Sequence, residues 1–239
     1  MVVKGVRMTG IERLEWDRIA NELTERGFAT TGRVLSAGEC KELVQSYGED
    51  DLYRSTVVMA RHGFGRGEYK YFRYPLPKLV ETLRTEFYPK LAATANHWGV
   101  ALGNETKYPE RHADYLRQCH GAGQARPTPL VLKYRAGDHN CLHQDLYGDM
   151  YFPMQVAFLL SEPGRDFEGG EFVLVEQRPR MQSRVEVVPL TQGEGVIFAV
   201  NQRPMRGSRG YYRVAMRHGV SRLRSGQRYT LGVIFHDAK

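Results

Sequence analysis

From Pro129 to the C-terminus the sequence is a succession of short apolar segments, and this pattern limits the possible folds more than any other feature. The segments are rich in Val, Phe, Tyr and Leu, and turn sequences such as Pro163-Gly164 and Gly169-Gly170 separate them. Segments of this length and composition predict β-strands. The eight predicted strands are residues 129–135, 141–145, 154–160, 170–177, 184–190, 194–200, 211–220 and 227–235.

The first 125 residues have a different pattern, which predicts helices with irregular insertions. Capping-box spacing occurs twice, each time ahead of apolar residues at helical intervals. The two pairs are Thr9 with Glu12, and Ser36 with Glu39. Gly27 is expected to end the first helix, and Pro89 is expected to kink or split a third one over residues 79–98.

Eight short strands after a helical region predict an α+β chain that is mainly β. We expect two facing antiparallel sheets, the jelly roll or double-stranded β-helix, with the N-terminal helices packed outside; another β-barrel topology would have similar spacing. Because the 239 residues contain no repeat or low-complexity linker, we expect a single domain. Residues 1–125 would form its helical or lid region, and residues 126–239 the jelly-roll core.

Positive charge is concentrated in one part of the chain. The whole sequence carries +7, but residues 178–228 contain eleven arginines, no lysine and two acids, which gives this segment +9. Arginine binds phosphate and carboxylate in a bidentate manner and stacks on bases. The segment is therefore either a solvated charged face or an anion-binding surface, with nucleic acid as the leading partner.

Several classes of protein are not expected. The sequence has no apolar run of 18 residues and no apolar core of a signal peptide near Met1, so we expect a cytoplasmic protein without a membrane partner. Three cysteines, Cys40, Cys119 and Cys141, are far apart and lack a C-x-x-C motif, which argues against disulfides or a thiolate zinc site. They are expected to be buried, and a monomer is compatible with the composition.

The sharpest local motif is Leu142-His143-Gln144-Asp145 in the second predicted strand. Residues i and i+2 of a strand point to the same face, so His143 and Asp145 could bind one metal ion. An H-x-D motif can also arise by chance in a chain with eight histidines. The rest of the C-terminal region strengthens the metal interpretation, because it offers a second histidine, His218, in a predicted strand. Two histidines and one carboxylate are the ligands of non-haem Fe(II) oxygenases.

Other histidines and acids are weaker candidates for metal ligands. His236 could replace His218, but only three residues follow it. His139 lies four residues before His143 and is interpreted as a loop residue, and Glu171 is expected to be exposed after a Gly-Gly turn. The remaining histidines are expected at the surface or in hydrogen bonds. They are His62, His97, His112 and His120.

The arrangement of these residues resembles the 2-oxoglutarate/Fe(II)-dependent dioxygenases. Arg228 follows His218 by ten residues and opens the last predicted strand, and Tyr134 precedes His143 by nine. The Glu168-Gly-Gly-Glu-Phe172 element resembles prolyl-hydroxylase-type members, whereas the stretch from Tyr134 to Asp145 is similar to AlkB-type repair oxygenases. The C-terminal block from Arg206 to Asp237 resembles the bacterial "oxygenase, nucleic-acid" family of AlkB-like proteins.

This resemblance implies a site and a reaction. It makes His143, Asp145 and His218 the ligands of Fe(II), and Arg228 the partner of the distal carboxylate of 2-oxoglutarate. Tyr134 and Thr230 would add hydrogen bonds to that carboxylate. The implied enzyme uses O2 to oxidise a substrate C–H bond, and an oxidised N-methyl group on a base would leave as formaldehyde. The expected function is therefore oxidative demethylation of alkylated bases in DNA.

Two segments could bind nucleic acid outside the metal site. The stretch 61–74 interleaves cations with aromatics in a glycine-rich, mobile loop, or else packs its tyrosines on the barrel. The stretch 201–210 is expected at the barrel mouth, in contact with phosphate. The candidate residues are Arg61, Tyr69, Tyr71, Arg73, Arg203, Arg206 and Arg209.

Two other functions are compatible with the same residues. A protein or small-molecule hydroxylase is favoured by the ten-residue interval between His218 and Arg228, which is typical of prolyl-hydroxylase-like enzymes. A non-catalytic barrel with an incidental His/Asp pair is the other alternative. Four residues in the order and spacing of an oxygenase site argue against it.

Overall fold

Two antiparallel sheets form the framework of the computed structural model, which describes residues 10–239. The helices are α1 (Trp16–Arg26), α2 (Ala37–Ser46), α3 (Lys78–Leu102) and α4 (His112–Gly121). The strands are β1 (Phe28–Arg33), β2 (Tyr53–Val58), β3 (Gly65–Arg66), β4 (Glu68–Phe72), β5 (Leu130–Arg135), β6 (His139–His143), β7 (Met154–Leu159), β8 (Phe167–Gly169), β9 (Phe172–Gln177), β10 (Arg184–Val188), β11 (Glu194–Ala199), β12 (Gln202–Gly207), β13 (Gly210–Val220) and β14 (Leu223–Val233).

The larger sheet has the order β1-β11-β7-β14-β5-β4-β2, with β8 paired to β14. The smaller sheet has the order β10-β9-β13-β6-β3, with β12 paired to β13. All the strand pairings are antiparallel. The predicted jelly roll with N-terminal helices outside it is therefore confirmed, and each of the eight predicted strands overlaps an observed one.

The centre of the larger sheet is buried on both of its faces, and β7 illustrates how. Val156 and Phe158 belong to the apolar cluster shared with the helices, while Ala157 and Leu159 belong to the cluster between the sheets. This alternation follows the two-residue period of a strand. Gln155 has the same parity as Ala157, so its side chain faces the interior between the sheets.

The prediction that the first 125 residues are helical with irregular insertions is incomplete, because this region also supplies β1 to β4. The stretch 61–74, predicted to be a mobile loop or to pack its tyrosines on the barrel, contains β3 and β4, which pair with β6 and β5 respectively. Glycines make this docking possible: a Cβ atom at Gly67 would lie 2.9 Å from the ring of Tyr134, and one at Gly65 would collide with the His139 carbonyl. Both glycines have positive φ angles, which side chains disfavour.

The helix boundaries differ from expectation in two places. The first α-helix begins at Trp16, preceded by a short 3-10 turn, and Thr9 of the predicted capping box lies outside the described residues. The capping box of Ser36 and Glu39 and the stop at Gly27 are confirmed. Pro89 does not split α3, which runs unbroken for 25 residues. The buried neighbours of Pro89, among them Phe87, Tyr88 and Leu91, favour continuation over the loss of one backbone hydrogen bond.

Strands β8 and β12 were missed by the sequence pattern. The cysteines form no disulfide; Cys40 and Cys119 are buried, but the expectation of burial is wrong for Cys141, which is exposed. Among the described helices, none combines the length and apolarity that crossing a membrane requires.

Candidate metal centre and its cavity

The fold brings His143, Asp145 and His218 together at one point between the sheets. His143 is the last residue of β6 and lies directly opposite His218 of β13, with ring centroids 4.1 Å apart. Asp145 follows β6 rather than ending it, which corrects the predicted strand boundary. The candidate ligand atoms of the three side chains all lie within 4.8 Å of one another.

One hydrogen bond determines which ring nitrogen of His143 can bind a metal ion. Nδ1 of His143 lies 2.7 Å from the Cys141 carbonyl oxygen, so Nδ1 carries the proton and donates it there. In the neutral imidazole this leaves the lone pair on Nε2, which lies 3.5 Å from Oδ1 of Asp145. Nε2 of His218 lies 3.3 Å from Oδ2 of Asp145. Both imidazoles therefore present a nitrogen towards the same carboxylate, and the three side chains can offer their donor atoms to one ion.

Two of the three protonation states favour binding of a cation, while the raised pKa of His143 opposes it. Burial alone would raise the pKa of Asp145, but hydrogen bonds and charge from His143 and His218 hold the pKa well below its usual value. Burial lowers the pKa of His218, with a further lowering contribution from His143. Burial would also lower the pKa of His143, but Asp145 outweighs it and raises the pKa. The carboxylate is thus charged and His218 is neutral at neutral pH.

This donor set fits Fe(II). Two imidazole nitrogens and one carboxylate on one side of an open cavity leave coordination positions for further ligands, unlike a closed structural zinc site with four protein ligands. The three residues are brought together as the sequence predicted.

Arg228 is a buried cation that lines the same cavity as the three candidate metal ligands. It is 2% exposed, it lies directly opposite Tyr134 across the β14–β5 pair, and its Nη1 donates to Thr230 Oγ1 at 2.6 Å. Burial lowers the pKa of Arg228 to about 10, so it remains charged at neutral pH. No carboxylate forms an ion pair with it in the part of the chain that the structure describes, and its Nε and the Tyr134 hydroxyl lack hydrogen-bond partners there. A buried, unpaired cation is costly, so the site fits an anionic ligand.

One cavity of about 410 Å³ joins the metal cluster to Arg228, Thr230 and Tyr134. Its remaining walls are mainly apolar and aromatic and include Phe64, Tyr69, Leu130 and Leu132. Such a chamber limits the access of water and strengthens electrostatic interactions inside it.

Two residues of the site were not predicted from the sequence, Tyr147 and Gln155. The Tyr147 hydroxyl donates to Oδ1 of Asp145 at 2.7 Å, and Nε2 of Gln155 donates to Oδ2 at 2.7 Å. A signal for Gln155 was present, since it is the single polar residue in the buried strand β7. No comparable signal marks Tyr147.

The predicted substrate-binding residues are distributed unevenly. Tyr69 lines the cavity, whereas Tyr71 is 7% exposed and packs against Tyr69 and Tyr147 beside it. Arg61 and Arg73 are exposed and do not line the cavity.

The prediction that Arg203 contacts phosphate is wrong. This arginine is 0% exposed, forms an ion pair with Glu176, and donates to the Thr24 carbonyl oxygen at 2.9 Å. It lies in β12, where alternate residues point to opposite faces, so its side chain enters the interior. The side chains of Arg206 and Arg209 are exposed and make no hydrogen bond or ion pair with other described residues.

The weaker ligand candidates lie outside the metal cluster. His236 is buried, and its Nδ1 accepts a hydrogen bond from the Phe152 backbone at 3.1 Å. His139 is the first residue of β6 rather than a loop residue. Glu171 is partly exposed and accepts a hydrogen bond from the Ser221 hydroxyl.

Solved structures share this fold. A prolyl-4-hydroxylase of Pseudomonas putida superposes with a TM-score of 0.56 at 14% identity, over 94% of this chain and 99% of the other. A 2OG-Fe(II) oxygenase family oxidoreductase of Burkholderia pseudomallei gives 0.53 at 16% identity, over 100% of this chain and 95% of that one. At such low identity, these likenesses concern the fold alone.

Sequence comparison is more specific. The uncharacterized protein Rv2227 of Mycobacterium tuberculosis (strain ATCC 25618 / H37Rv) is 51% identical over 167 residues, which cover 70% of this chain and 72% of that protein. The fold and the sequence match to a family model together define an oxygenase of the 2-oxoglutarate/Fe(II)-dependent superfamily. Residues 67–238 match the family Oxygenase-NA, described as "Oxygenase, catalysing oxidative methylation of damaged DNA". The chain belongs to this family, and the alternative of a non-catalytic barrel is thereby set aside.

Proposed function

We propose that the chain oxidises alkylated bases in nucleic acid, using Fe(II) and 2-oxoglutarate in the cavity described above. The observation that carries this proposal is the unpaired Arg228 in the same cavity as the cluster of His143, Asp145 and His218. One end of the cavity offers three metal ligands and the other offers a buried cation for a carboxylate. A dicarboxylate that also ligates the metal would satisfy both ends.

Each residue has a defined task in this proposal. His143, Asp145 and His218 hold the metal, and Arg228 with Thr230 and Tyr134 orients the distal carboxylate of the cosubstrate. When bound, the iron and 2-oxoglutarate supply the oxidising chemistry for a substrate C–H bond. The apolar walls exclude water from the reacting groups.

Aromatic side chains that line the cavity favour a planar, unstacked substrate. Phe64 is 48% exposed, lines the cavity, and stacks on His62 with ring centroids 5.3 Å apart. Tyr69 adds a second aromatic wall. An enzyme that oxidises a base must take it out of the stack or act on single strands, and aromatic rings then hold the exposed base.

The charge distribution supports a polyanionic partner. Of the arginines in residues 178–228, Arg178, Arg184 and Arg203 are engaged with Glu176. Arg206 and Arg209 of the β12–β13 hairpin are exposed and unpaired within the described chain. Cations without intramolecular partners are free to contact phosphate, and Arg61 belongs to this group. Arg73 is also exposed, although its guanidinium donates to the Asp51 carbonyl oxygen at 3.5 Å, and we include it as a second candidate. The family's description, which names damaged DNA, agrees with this assignment.

A protein or small-molecule hydroxylase is the second candidate. The ten-residue interval from His218 to Arg228 favours it, as does the turn at Gly169-Gly170. The fold likeness to a prolyl-4-hydroxylase is compatible with either substrate.

Turnover assays distinguish these two candidates. Succinate and formaldehyde release should be followed with N-methylated single-stranded oligonucleotides and, in parallel, with a panel of peptides. We expect release with the oligonucleotides, abolished in His143→Ala and retained in His97→Ala, a control at an exposed histidine outside the cavity. Turnover of peptides alone, without binding of any oligonucleotide at low salt, would refute the nucleic-acid substrate.

A further inference from the structure

Both oxygens of the Asp145 carboxylate are held by side chains that do not belong to the metal cluster. The Tyr147 hydroxyl donates to Oδ1 and the Gln155 amide donates to Oδ2, each at 2.7 Å. Each oxygen also faces one histidine, His143 at 3.5 Å or His218 at 3.3 Å. The carboxylate is therefore fixed from two sides even before a metal is considered.

The backbone around Asp145 does not provide this rigidity. Strand β6 ends at His143, and no regular element is assigned between it and β7. Residues beyond a strand end are not aligned by ladder hydrogen bonds, so the direction of the Asp145 side chain has to be set by its contacts.

The two donors, in contrast, are anchored. Gln155 is 6% exposed and lies in β7, opposite Phe198 of β11 in the ladder. Its Nε2 also lies 3.3 Å from Nε2 of His218, so the amide spans two members of the cluster. Tyr147 packs edge-on against Tyr71 of β4, with ring centroids 6.2 Å apart and an interplanar angle of 89°.

We propose that Tyr147 and Gln155 are positioning residues that hold the Asp145 carboxylate in its metal-binding orientation. This inference rests on the proposed role of Asp145 as a metal ligand. A carboxylate oxygen that accepts one hydrogen bond keeps a lone pair for a metal, so the two donors leave the Asp145 carboxylate able to bind the ion. They restrict rotation of the carboxylate, and a ligand ordered in advance binds more tightly because less freedom is lost on binding.

Cobalt titration of the metal-free protein tests the proposal without turnover. Co(II) binding is followed by its visible absorption in wild type, Tyr147→Phe, Gln155→Leu and the double variant. We expect the dissociation constant to rise about 10- to 100-fold in each single variant, which is the usual effect of losing a partner of a metal ligand. The shape of the Co(II) spectrum should change too, because a freed carboxylate alters the coordination geometry.

Matched controls separate this effect from general damage. Tyr151→Phe removes a hydroxyl from the same interstrand segment, and Gln192→Leu removes an amide that donates to the Leu160 carbonyl at 2.9 Å outside the cavity. Both should bind Co(II) as wild type does. Thermal unfolding without metal reports the folding of each variant, and the rise in Tm on adding Co(II) should be smaller in Tyr147→Phe and Gln155→Leu than in the controls.

The possible outcomes are distinguishable. Dissociation constants within twofold of wild type in folded Tyr147→Phe and Gln155→Leu would overturn this inference alone. If Asp145→Ala itself keeps full Co(II) affinity, the proposed metal site fails instead. Should Gln155→Leu not fold, Tyr147→Phe decides the question, because it removes one oxygen atom from a partly exposed ring.

Discussion

The backbone of Gly170 lies directly against the buried side chain of Arg228. A Cβ atom at Gly170 would come within 3.0 Å of Cδ of Arg228 and would collide with Leu223. Gly170 also has a φ of +63°, a conformation that favours glycine. The Gly169-Gly170 turn, which resembles an element of prolyl-hydroxylase-type enzymes, therefore makes room for the arginine at the end of the cavity.

Gly170→Ala should accordingly weaken binding of 2-oxoglutarate while leaving the metal in place. Displacing Arg228 from its preferred rotamer costs ~0.5–1.5 kcal/mol, so the dissociation constant should rise roughly two- to tenfold. Isothermal titration with 2-oxoglutarate in the presence of Co(II) measures this. Gly164→Ala is the control, because Gly164 also has a positive φ but its Cβ would meet open space. Equal effects in both variants would contradict a role for the contact with Arg228.

Arg228→Ala should weaken 2-oxoglutarate binding more strongly. A hydrogen bond to a charged group contributes about 1.5–3 kcal/mol, so we expect a roughly 10- to 150-fold increase in the dissociation constant with Co(II) affinity retained. Arg228→Lys should restore only part of the loss, since an ammonium group cannot form the bidentate contact. Loss of the metal in Arg228→Ala would mean that the arginine has a structural role instead.

Mutations at the Arg203–Glu176 ion pair and at Arg206 should have different effects, although the two arginines are only three positions apart in the chain. Glu176→Gln leaves the buried Arg203 without its charged partner and should lower the free energy of unfolding by about 3–5 kcal/mol in urea titrations. Arg206→Gln should change stability by less than about 0.5 kcal/mol, because this arginine is exposed. Instead it should flatten the salt dependence of single-stranded oligonucleotide binding by about 0.7 in the log–log slope. An unchanged slope would remove Arg206 from the nucleic-acid contact.

Two buried histidines should make the protein sensitive to acid. Burial lowers the pKa of His112 to about 3 and the pKa of His236 to about 4. In the unfolded chain these histidines have an ordinary pKa of about 6.5 and take up protons below that pH, whereas in the folded chain they stay neutral. The free energy of unfolding therefore falls as the pH decreases from about 6.5 towards 4. Between pH 7 and pH 5, each histidine should lower the free energy of unfolding by about 2 kcal/mol.

Urea titrations of wild type at both pH values measure this loss. His112→Gln should lose less stability between them than wild type, because glutamine does not titrate. The His112 Nε2 contact to the Phe235 carbonyl at 2.7 Å gives the substitution a baseline cost, which cancels in the comparison between the two pH values. An identical loss in the variant and wild type would contradict the assignment.

The sequence predicted the strands of the C-terminal half well because their apolar segments are continuous and the turns between them are marked by Gly and Pro. The grouping of His143, Asp145 and His218 followed from motif spacing together with the resemblance to the 2-oxoglutarate/Fe(II)-dependent dioxygenases. The N-terminal strands were not predicted, since β3 and β4 lie in a glycine-rich, strongly polar stretch. Their strand conformation depends on pairing with β6 and β5, and the paired residues lie 59 to 75 positions apart along the chain. Local propensity does not contain that information.

Arg203 shows a second limit of sequence interpretation. Whether an arginine of this segment is buried depends on which face of a strand it occupies. This could not be predicted for Arg203, because β12 was not expected to be a strand. Its partner, Glu176, is 27 residues away in β9. Tyr147 and Gln155 were not predicted for a similar reason. Their hydrogen bonds to Asp145 depend on the tertiary arrangement of β7 and the segment after β6.

The larger sheet is completed at both edges by strands from the first 72 residues, β1 at one side and the β2–β4 hairpin at the other. A shortened chain starting at residue 126 would retain every proposed iron and cosubstrate ligand, yet β11 and β5 would become bare margins with unsatisfied N–H and C=O groups. Such margins recruit strands from other molecules. We therefore expect the C-terminal region alone to aggregate when it is expressed without residues 1–125. Any transfer of the site to another protein would have to include the flanking strands β1, β2 and β4.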